Sequence, residues 1–389
     1  MQITQYSLII YDTSDFEKFP IGGQLTSIRN FLRFIAEQHP DKIKKILLVG
    51  VTTEAANIYK LQEVRINNAE FDFFPVLYRK NTLSSVQKSM RAEYLKALCG
   101  CRKYLPHGRD VVHYIHTPEA FIYLKVYDPF CKTAVFSHGS FFNMVSGFRF
   151  YKRSRMIGPA FNCFLKFMLR KADLIFTLDK ISSEEYRPYN KNIVQVDNSI
   201  VLPDQLQKDK MLHDPVRLLF VGRLSKVKRV DSILKAVVNT NRAVLTVVGD
   251  GEEKDKLEKL SKDLKVDHRV RFLGGVNPNK IGEIMAENDI LILNSTMEGK
   301  PMALIEALSY GLPVVTTSVG GISEIICDGA DAFITDGTPA TIQKGVDVIR
   351  KNYKFYHRQA LHTANSYDYK IVNKIIFRNL QKLYSGLRR

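Results

Sequence analysis

Cysteine is scarce in this sequence, and long apolar runs are missing. The five cysteines, Cys99, Cys101, Cys131, Cys163 and Cys327, are odd in number, and no pair has zinc-ligand spacing. A chain of 389 residues buries enough surface to fold without staples, so they read as reduced thiols of a cytoplasmic protein. No run of about 18 or more uncharged apolar residues occurs, so no spanning helix is expected. The start, MQITQYSLIIYDT, has no basic region ahead of an apolar stretch. It reads as a first buried strand and not as a signal peptide. No Gly-x-Gly-x-x-Gly follows that strand, which disfavours a plain dinucleotide enzyme. No Asp-x-Asp metal pair stands at a strand end, and no nucleic-acid module matches. Metal ligands and a bound cofactor are therefore not expected.

What is present is ordinary in bulk and uneven in charge. The chain is 45% hydrophobic and 25% charged, as soluble globular proteins are, with a net charge of +17. A surplus of that size favours anionic partners: phosphates, nucleic acid or acidic lipid headgroups. Apolar strand-like runs at 6–11, 46–51, 72–76, 111–115, 133–137, 174–177 and 193–196 alternate with helical stretches such as 24–38 and 85–98. The pattern restarts after residue 200. Strands at 217–220, 243–248, 270–272, 290–293, 314–316 and 332–334 alternate with helices at 230–238, 252–264, 279–286 and 302–310. Near-continuous apolar strands between helices indicate parallel sheets covered on both faces. The expected architecture is α/β: two Rossmann-like doubly wound domains facing a central cleft. Residues 1–200 form the first and 201–365 the second. A linker is placed at 198–215.

Two segments are strongly basic. Residues 350–389 hold ten Lys/Arg and one acid, Asp368. Ile371, Ile375, Leu380 and Leu383 fall near helical spacing, so 366–389 is read as a closing amphipathic helix that packs back on the first domain. Residues 148–171, FRFYKRSRMIGPAFNCFLKFMLRK, carry seven cations, no acid and many aromatics. Such a segment suits an anionic membrane surface, stacking on single-stranded nucleic acid, or a helix with a solvated basic face.

The most informative stretch runs from Ser295 to Pro313. A strand ends at Asn294, a polar loop follows, and a helix opens with Pro301 and closes at Gly311. Backbone N–H groups around 300–303 form an anion site at the sheet edge where doubly wound folds bind ligands. Two carboxylates, Glu298 and Glu306, frame it. Carboxylates accept hydrogen bonds and repel phosphate, so they suit hydroxyls on either side of a pyrophosphate. Upstream, Gly222-Arg223 and Lys228 follow another strand, placing two cations where charge would develop on a leaving diphosphate. Val247-Val-Gly249-Asp250-Gly251 is a further strand-to-helix turn.

Glu298-Gly299, Glu306-Ala307 and Gly311-Leu-Pro313, with Gly222-Arg223-Leu and Lys228 before them, resemble the donor site of the family 4 retaining glycosyltransferases of the GT-B fold. Phe272-Leu-Gly274-Gly-Val276, Pro20-Ile-Gly22-Gly23-Gln24 and Ser137-His138-Gly139 echo the same family, as do Asp110-Val-Val-His113-Tyr-Ile-His116 and Asn198. The resemblance is strong over 217–330 and weaker over 1–200. It departs at Arg229 and Ser199, where the family has glycine; the first puts the shape of the loop after Lys228 in question.

The resemblance implies a metal-independent hexosyltransferase of the retaining class, with a nucleoside-diphosphate sugar as donor. A glycan or lipid-linked glycan would be the acceptor, in bacterial surface-polysaccharide synthesis such as lipopolysaccharide, capsule or exopolysaccharide. Catalytic roles fall on Glu298, His138, Arg223 and Lys228. Donor binding falls on Gly22, Gly23, Gly222, Arg223, Lys228, Val276, Glu298, Gly299, Lys300, Pro301, Met302, Ala303 and Glu306. His138 would face the transferred sugar, Glu298 would hold its hydroxyls and Glu306 the ribose. Closure of the two domains would assemble the site. The expected place is cytoplasmic, peripheral on the inner face of the membrane, with no nucleic-acid partner. A non-catalytic glycan- or nucleic-acid-binding protein and a sugar-nucleotide epimerase stay open as alternatives.

Overall fold

The computed structural model describes residues 6–16, 23–79, 90–106, 108, 110–140, 157–203 and 210–385. The chain divides into two compact units, Met1–Ser199 with Tyr369–Arg389, and Ile200–Asp368.

The first unit is built on eight strands: β1 (Leu8–Tyr11), β2 (Ile46–Thr52), β3 (Gln62–Ile66), β4 (Ala69–Tyr78), β5 (Val112–Ile115), β6 (Lys132–Ser137), β7 (Leu174–Thr177) and β8 (Ile193–Gln195). Their order is β3-β4-β2-β1-β5-β6-β7-β8. The described helices of this part are α1 (Gly23–Gln38), α2 (Met90–Gly100), α3 (Pro118–Tyr127), α4 (Ile157–Lys171) and α5 (Lys180–Tyr186). Leu8 pairs with Ile46 on one side and Val112 on the other, both in parallel. The sheet is covered on both faces, so alternate residues of one strand enter different cores. Leu47 and Val49 pack with Leu98, Leu124 and Leu165. Ile46 and Leu48 pack with Ile28, Leu32 and Ile35. The central strands β1 and β2 are almost wholly apolar for that reason, while the edge strand β3 alternates buried Val64 and Ile66 with exposed charges.

One ladder is antiparallel, β3 on β4, with Ile66 opposite Ala69. The two-residue turn between them is Asn67-Asn68, and Asn67 takes φ 55°. The sequence reading placed only 72–76 as a strand here. An Asn-Asn pair between alternating segments was the signal for the hairpin. Helix α2 begins at Met90; residues 85–89 of the expected helix lie outside the described residues.

The second unit has six parallel strands: β9 (Val216–Val221), β10 (Ala243–Val248), β11 (Val270–Gly274), β12 (Ile290–Leu293), β13 (Val314–Thr317) and β14 (Ala332–Thr335). Their order, β11-β10-β9-β12-β13-β14, is the doubly wound 3-2-1-4-5-6 arrangement. Ligands bind in such sheets where the order reverses, here between β9 and β12. The helices are α6 (Val230–Asn239), α7 (Lys254–Asp263), α8 (Pro278–Glu287), α9 (Met302–Ser309), α10 (Pro339–Lys351) and α11 (Tyr353–Ala364).

The expected linker at 198–215 needs correction at its described C-terminal end. Lys210 Nζ donates to the carbonyls of Ala286, at 2.7 Å, and Asn288. His213 Nδ1 meets Asp289 Oδ1 at 2.8 Å. These bonds tie the segment to the α8–β12 connection, so it is part of the second unit despite its proline and mixed charge.

After Asp368 the chain returns to the first unit as α12 (Tyr369–Ser385). Tyr369, Val372, Ile376 and Leu380 are its buried face, in the core that holds Leu32 and Ile35. Tyr369 Oη donates to Glu37, and Phe377 stacks on His39 at 4.1 Å. Ile371 and Ile375, expected on the buried face, are instead 53% and 42% exposed. Each has an apolar neighbour, Val372 and Ile376. Spacing alone does not choose between two stripes one residue, or about 100°, apart.

Candidate functional site

In the second unit, β9 leads into Gly222 and Arg223, and Leu224 is buried behind the turn. A single 3-10 turn, Lys226–Lys228, follows, and Arg229 then takes φ 47°, ψ 42° before α6 begins. A non-glycine residue in the left-handed region costs about 1 kcal/mol or more. Arg229 offsets this by donating from its guanidinium to the Gly337 carbonyl at 2.8 Å. The departure from glycine at this position thus preserves the turn. Gly249 comes close to it: at φ +130°, a Cβ there would sit 1.9 Å from the Gly222 carbonyl oxygen. The Gly249–Gly251 turn is therefore a packing requirement of the Gly222 loop.

Across the switch point, β12 ends at Leu293 and the loop 294–301 carries Glu298. Glu298 Oε1 receives Lys228 Nζ at 2.5 Å and Ser295 Oγ at 2.6 Å. Only 9% of the Glu298 side chain and 21% of the Lys228 side chain are exposed. The loop is held from beneath by β13 and the turn after it. Thr317 Oγ1 donates to the Ser295 carbonyl at 2.6 Å, and Gly321 N–H to the Gly299 carbonyl at 3.0 Å. Gly320 has φ +59°, and a Cβ on it would stand 1.9 Å from the Glu298 carbonyl oxygen. Thr317, Gly320 and Gly321 were not singled out from sequence, and Ser295 was named only as the start of its segment. The Gly-Gly pair just after a strand, matching Gly22-Gly23, was the available signal.

Helix α9 starts at Met302 with Pro301 as its N-cap, and no side chain caps it. Met302 and Ala303 sit in the first turn, where N–H groups lack intrahelical acceptors. Glu306 is half-buried one turn on, and burial raises its pKa above the usual carboxylate range. No hydrogen bond or ion pair reaches its carboxylate among the described residues.

Other expected site residues are placed differently. Arg223 is 68% exposed and pairs with Glu252 at 3.2 Å, not with Glu298. Lys300 is turned under its own loop to Glu324, 3.1 Å away and almost fully buried, which makes its side chain a support of the loop. Val276 is half-buried against the apolar core just after β11.

In the first unit, the switch point lies between β1 and β5. Asp12, buried after β1, accepts from Gln24 Nε2, whose amide also reaches the His116 carbonyl at 3.3 Å. Burial pushes the Asp12 carboxyl up to about 6. His116 follows β5 and His138 follows β6, and His116 Nδ1 and His138 Nε2 lie 2.9 Å apart. Burial lowers both, His138 to about 3. The loop after β6 is fastened by Ser137 Oγ to the Gly139 carbonyl at 2.6 Å and by Ser140 Oγ to Glu185 at 2.5 Å. Gly23 opens α1; Gly22 lies outside the described residues. Asp12 escaped the sequence reading because it sits in no recognisable spacing, and Gln24 was quoted only as the end of the Gly22-Gly23 segment, with no role given to it.

Ligand atoms of His113, Asp128 and Cys131 come within 4.8 Å of one another, the one such trio among the described residues. Asp128 accepts the Gly108 N–H at 2.7 Å, His113 bonds Tyr11 at 3.0 Å, and burial pushes the Cys131 thiol up to about 12.

With this geometry in place, the comparisons are direct. Residues 203–364 match the family model "Glycosyl transferases group 1". Over 193 residues the chain is 30% identical to N-acetyl-alpha-D-glucosaminyl L-malate synthase of Bacillus anthracis, covering 46% of this chain and 50% of that one. Over 209 residues it is 31% identical to lipopolysaccharide 1,6-galactosyltransferase of Salmonella typhimurium, covering 49% and 55%. The chain thus spans about half the length of these curated relatives. The structure of Anabaena HepE in complex with UDP-glucose superposes with a TM-score of 0.67 at 17% identity, covering 97% of this chain and 99% of that one. The fold is GT-B, with two Rossmann-like units in one chain.

Proposed function

We propose that this chain is a retaining glycosyltransferase of family 4. It moves a hexose or N-acetylhexosamine from a nucleoside-diphosphate sugar to a glycan or lipid-linked glycan acceptor, in the synthesis of bacterial surface polysaccharide. The observation that carries the reading is the Lys228–Glu298 pair at the β9/β12 switch point, beside the uncapped start of α9. A cation, a hydroxyl-accepting carboxylate and free N–H groups at one sheet edge match the three parts of a sugar, its phosphates and their bridging oxygen. The neighbours support the donor class: one holds UDP-glucose. The Salmonella relative is named for lipopolysaccharide.

In this mechanism the bond from the anomeric carbon to the diphosphate breaks and gives an oxocarbenium-like species. Lys228, Arg223 released from Glu252, and the N–H groups of Met302 and Ala303 receive the departing charge. The acceptor hydroxyl bonds to the anomeric carbon on the same face, and its proton passes to the leaving phosphate. Glu298 holds hydroxyls of the sugar, Glu306 the ribose, and the backbone near Val276 the base. Gly23 and His138 are assigned to the donor by the family resemblance, His138 to the transferred sugar. Because side chains and N–H groups neutralise the phosphates, turnover is expected to persist in EDTA. A panel of nucleoside-diphosphate sugars in EDTA, read by thermal shift and by hydrolysis, tests both claims. One donor should stabilise the chain by about 2.7 kcal/mol at a hundred times its Kd and turn over. Stabilisation by none overturns the reading. Turnover lost in EDTA and restored by Mn²⁺ or Mg²⁺ overturns metal independence.

The proposed place is the cytoplasm, peripheral on the inner face of the membrane. No helix among the described residues is long and apolar enough to cross a membrane. On α12, Lys370, Lys374, Arg378 and Lys382 recur every four residues on the exposed side, interleaved with the exposed Ile371 and Ile375. On α4, Lys166, Phe167, Arg170 and Lys171 are exposed while Leu165, Met168 and Leu169 are buried; residues 148–156 of that basic segment lie outside the described residues. Cations near an anionic surface contribute about 1 kcal/mol each. The chain should sediment with phosphatidylglycerol vesicles at low salt and not with phosphatidylcholine vesicles. Glutamine at the four α12 cations should weaken that binding by roughly 100-fold or more. Equal binding before and after the change removes α12 from the proposal.

A further inference from the structure

We infer that His116 holds His138 in the tautomer that carries its proton on Nδ1, so that His138 meets the sugar as a hydrogen-bond donor. This rests on the reading of His138 as facing the transferred sugar.

The geometry starts from the sheet. Strands β5 and β6 are parallel neighbours with Ile115 opposite Val135. The residue after β5 is therefore set beside Phe136, and His138 emerges just beyond. The His116 ring stacks on Phe136 with centroids 5.2 Å apart and planes 16° apart, and Tyr114 meets it edge-on at 4.5 Å. Phe136 also packs on His138, at 4.6 Å. Burial behind these rings takes both imidazoles out of water and lowers their pKa values, so both are neutral at pH 7.

A neutral imidazole has one donor and one acceptor. The 2.9 Å contact between His116 Nδ1 and His138 Nε2 needs one of each. If His138 donated, the proton of His116 would sit on Nε2. That atom is buried and has no hydrogen-bond partner among the described residues. A stranded buried N–H is rarer in native structures than an under-satisfied acceptor. The proton of His116 therefore belongs on Nδ1, where it donates to His138 Nε2. His138, itself half-buried, is left with its proton on Nδ1, where no acceptor takes it among the described residues. The same arrangement keeps His138 from taking the acceptor's proton, because Nε2 is occupied and Nδ1 is already protonated. His116 is thus a positioning residue.

The test uses the full chain labelled with ¹⁵N-histidine, with the two rings assigned from the His116→Asn and His138→Asn spectra. Long-range ¹H–¹⁵N correlations at pH 7.5 should show both rings protonated on Nδ1. A proton on Nε2 of either ring overturns the inference, whatever the turnover. His116→Asn keeps an amide donor near the position of Nδ1, so it should keep the His138 signature and stay within about threefold of wild-type kcat/KM. His116→Leu should let His138 move toward the Nε2–H form and lose about tenfold in kcat/KM, the worth of one well-made hydrogen bond. If His116→Leu does not fold, the wild-type and His116→Asn spectra still decide. Nδ1–H on both rings in a chain that turns over no nucleotide sugar would defeat the proposed function and leave the tautomer standing.

Discussion

Glu298→Ala is expected to lower turnover by about 100-fold or more, close to 3 kcal/mol of transition-state stabilisation, in a chain that still folds. Lys228→Ala should do the same. The two groups meet at 2.5 Å, and Ser295 Oγ holds the same carboxylate oxygen at 2.6 Å. Removing Glu298 leaves Lys228 with 21% of its side chain exposed, so water can solvate the ammonium. The stability change should stay near 1 kcal/mol, typical of a partly exposed pair. Removing Lys228 leaves a carboxylate that Ser295 still binds, and the loop keeps its Thr317 and Gly321 bonds. Urea midpoints and initial rates measured on the same preparations separate the two effects. Rates within threefold of wild type for both variants would remove the site assignment.

Gly320→Ala is expected to disable the same site without touching a reacting group. At φ +59° an alanine carries about 1 kcal/mol of strain. Its Cβ would also lie 1.9 Å from the Glu298 carbonyl oxygen, a backbone atom that cannot swing aside. The loop that carries Glu298 must move, and a displacement near 1 Å in a positioned group costs up to about 100-fold in rate. Stability should fall by about 1–3 kcal/mol. Gly329 supplies the control. Its φ is +77° and a Cβ there meets nothing within 4 Å. Gly329→Ala should pay the strain alone and keep its turnover. Equal losses of rate in the two variants would mean that strain, and not displacement of the Glu298 loop, is responsible.

Much of the fold was legible because its signals are local. A parallel sheet covered on both faces requires apolar strands, and β2, β7, β10 and β12 show them as predominantly apolar runs. Helix α9 announces itself by Pro301 before it and Gly311 after it. The hairpin β3–β4 was missed because its outer strand mixes charges with Val64 and Ile66. The buried face of α12 was misassigned because two stripes of the right spacing lie side by side. Segment 210–215 looked like a linker by composition, and only its bonds to Asn288 and Asp289 place it in the second unit.

The sequence by itself determined which residues stand at strand ends, since strand, loop and helix boundaries are written in short-range periodicity and in glycine and proline. It placed Glu298, Lys228, Arg223 and His138 there. The tertiary structure alone decided which of them meet. Lys228 and Glu298 are 70 residues apart, and they touch because the strand order reverses between β9 and β12, a fact of sheet topology that no local pattern encodes. Topology likewise brings Gly320 beneath Glu298, ties Lys300 to Glu324 and sets His116 against His138. It leaves Arg223 outside, on Glu252, because an exposed guanidinium takes the nearest solvated carboxylate.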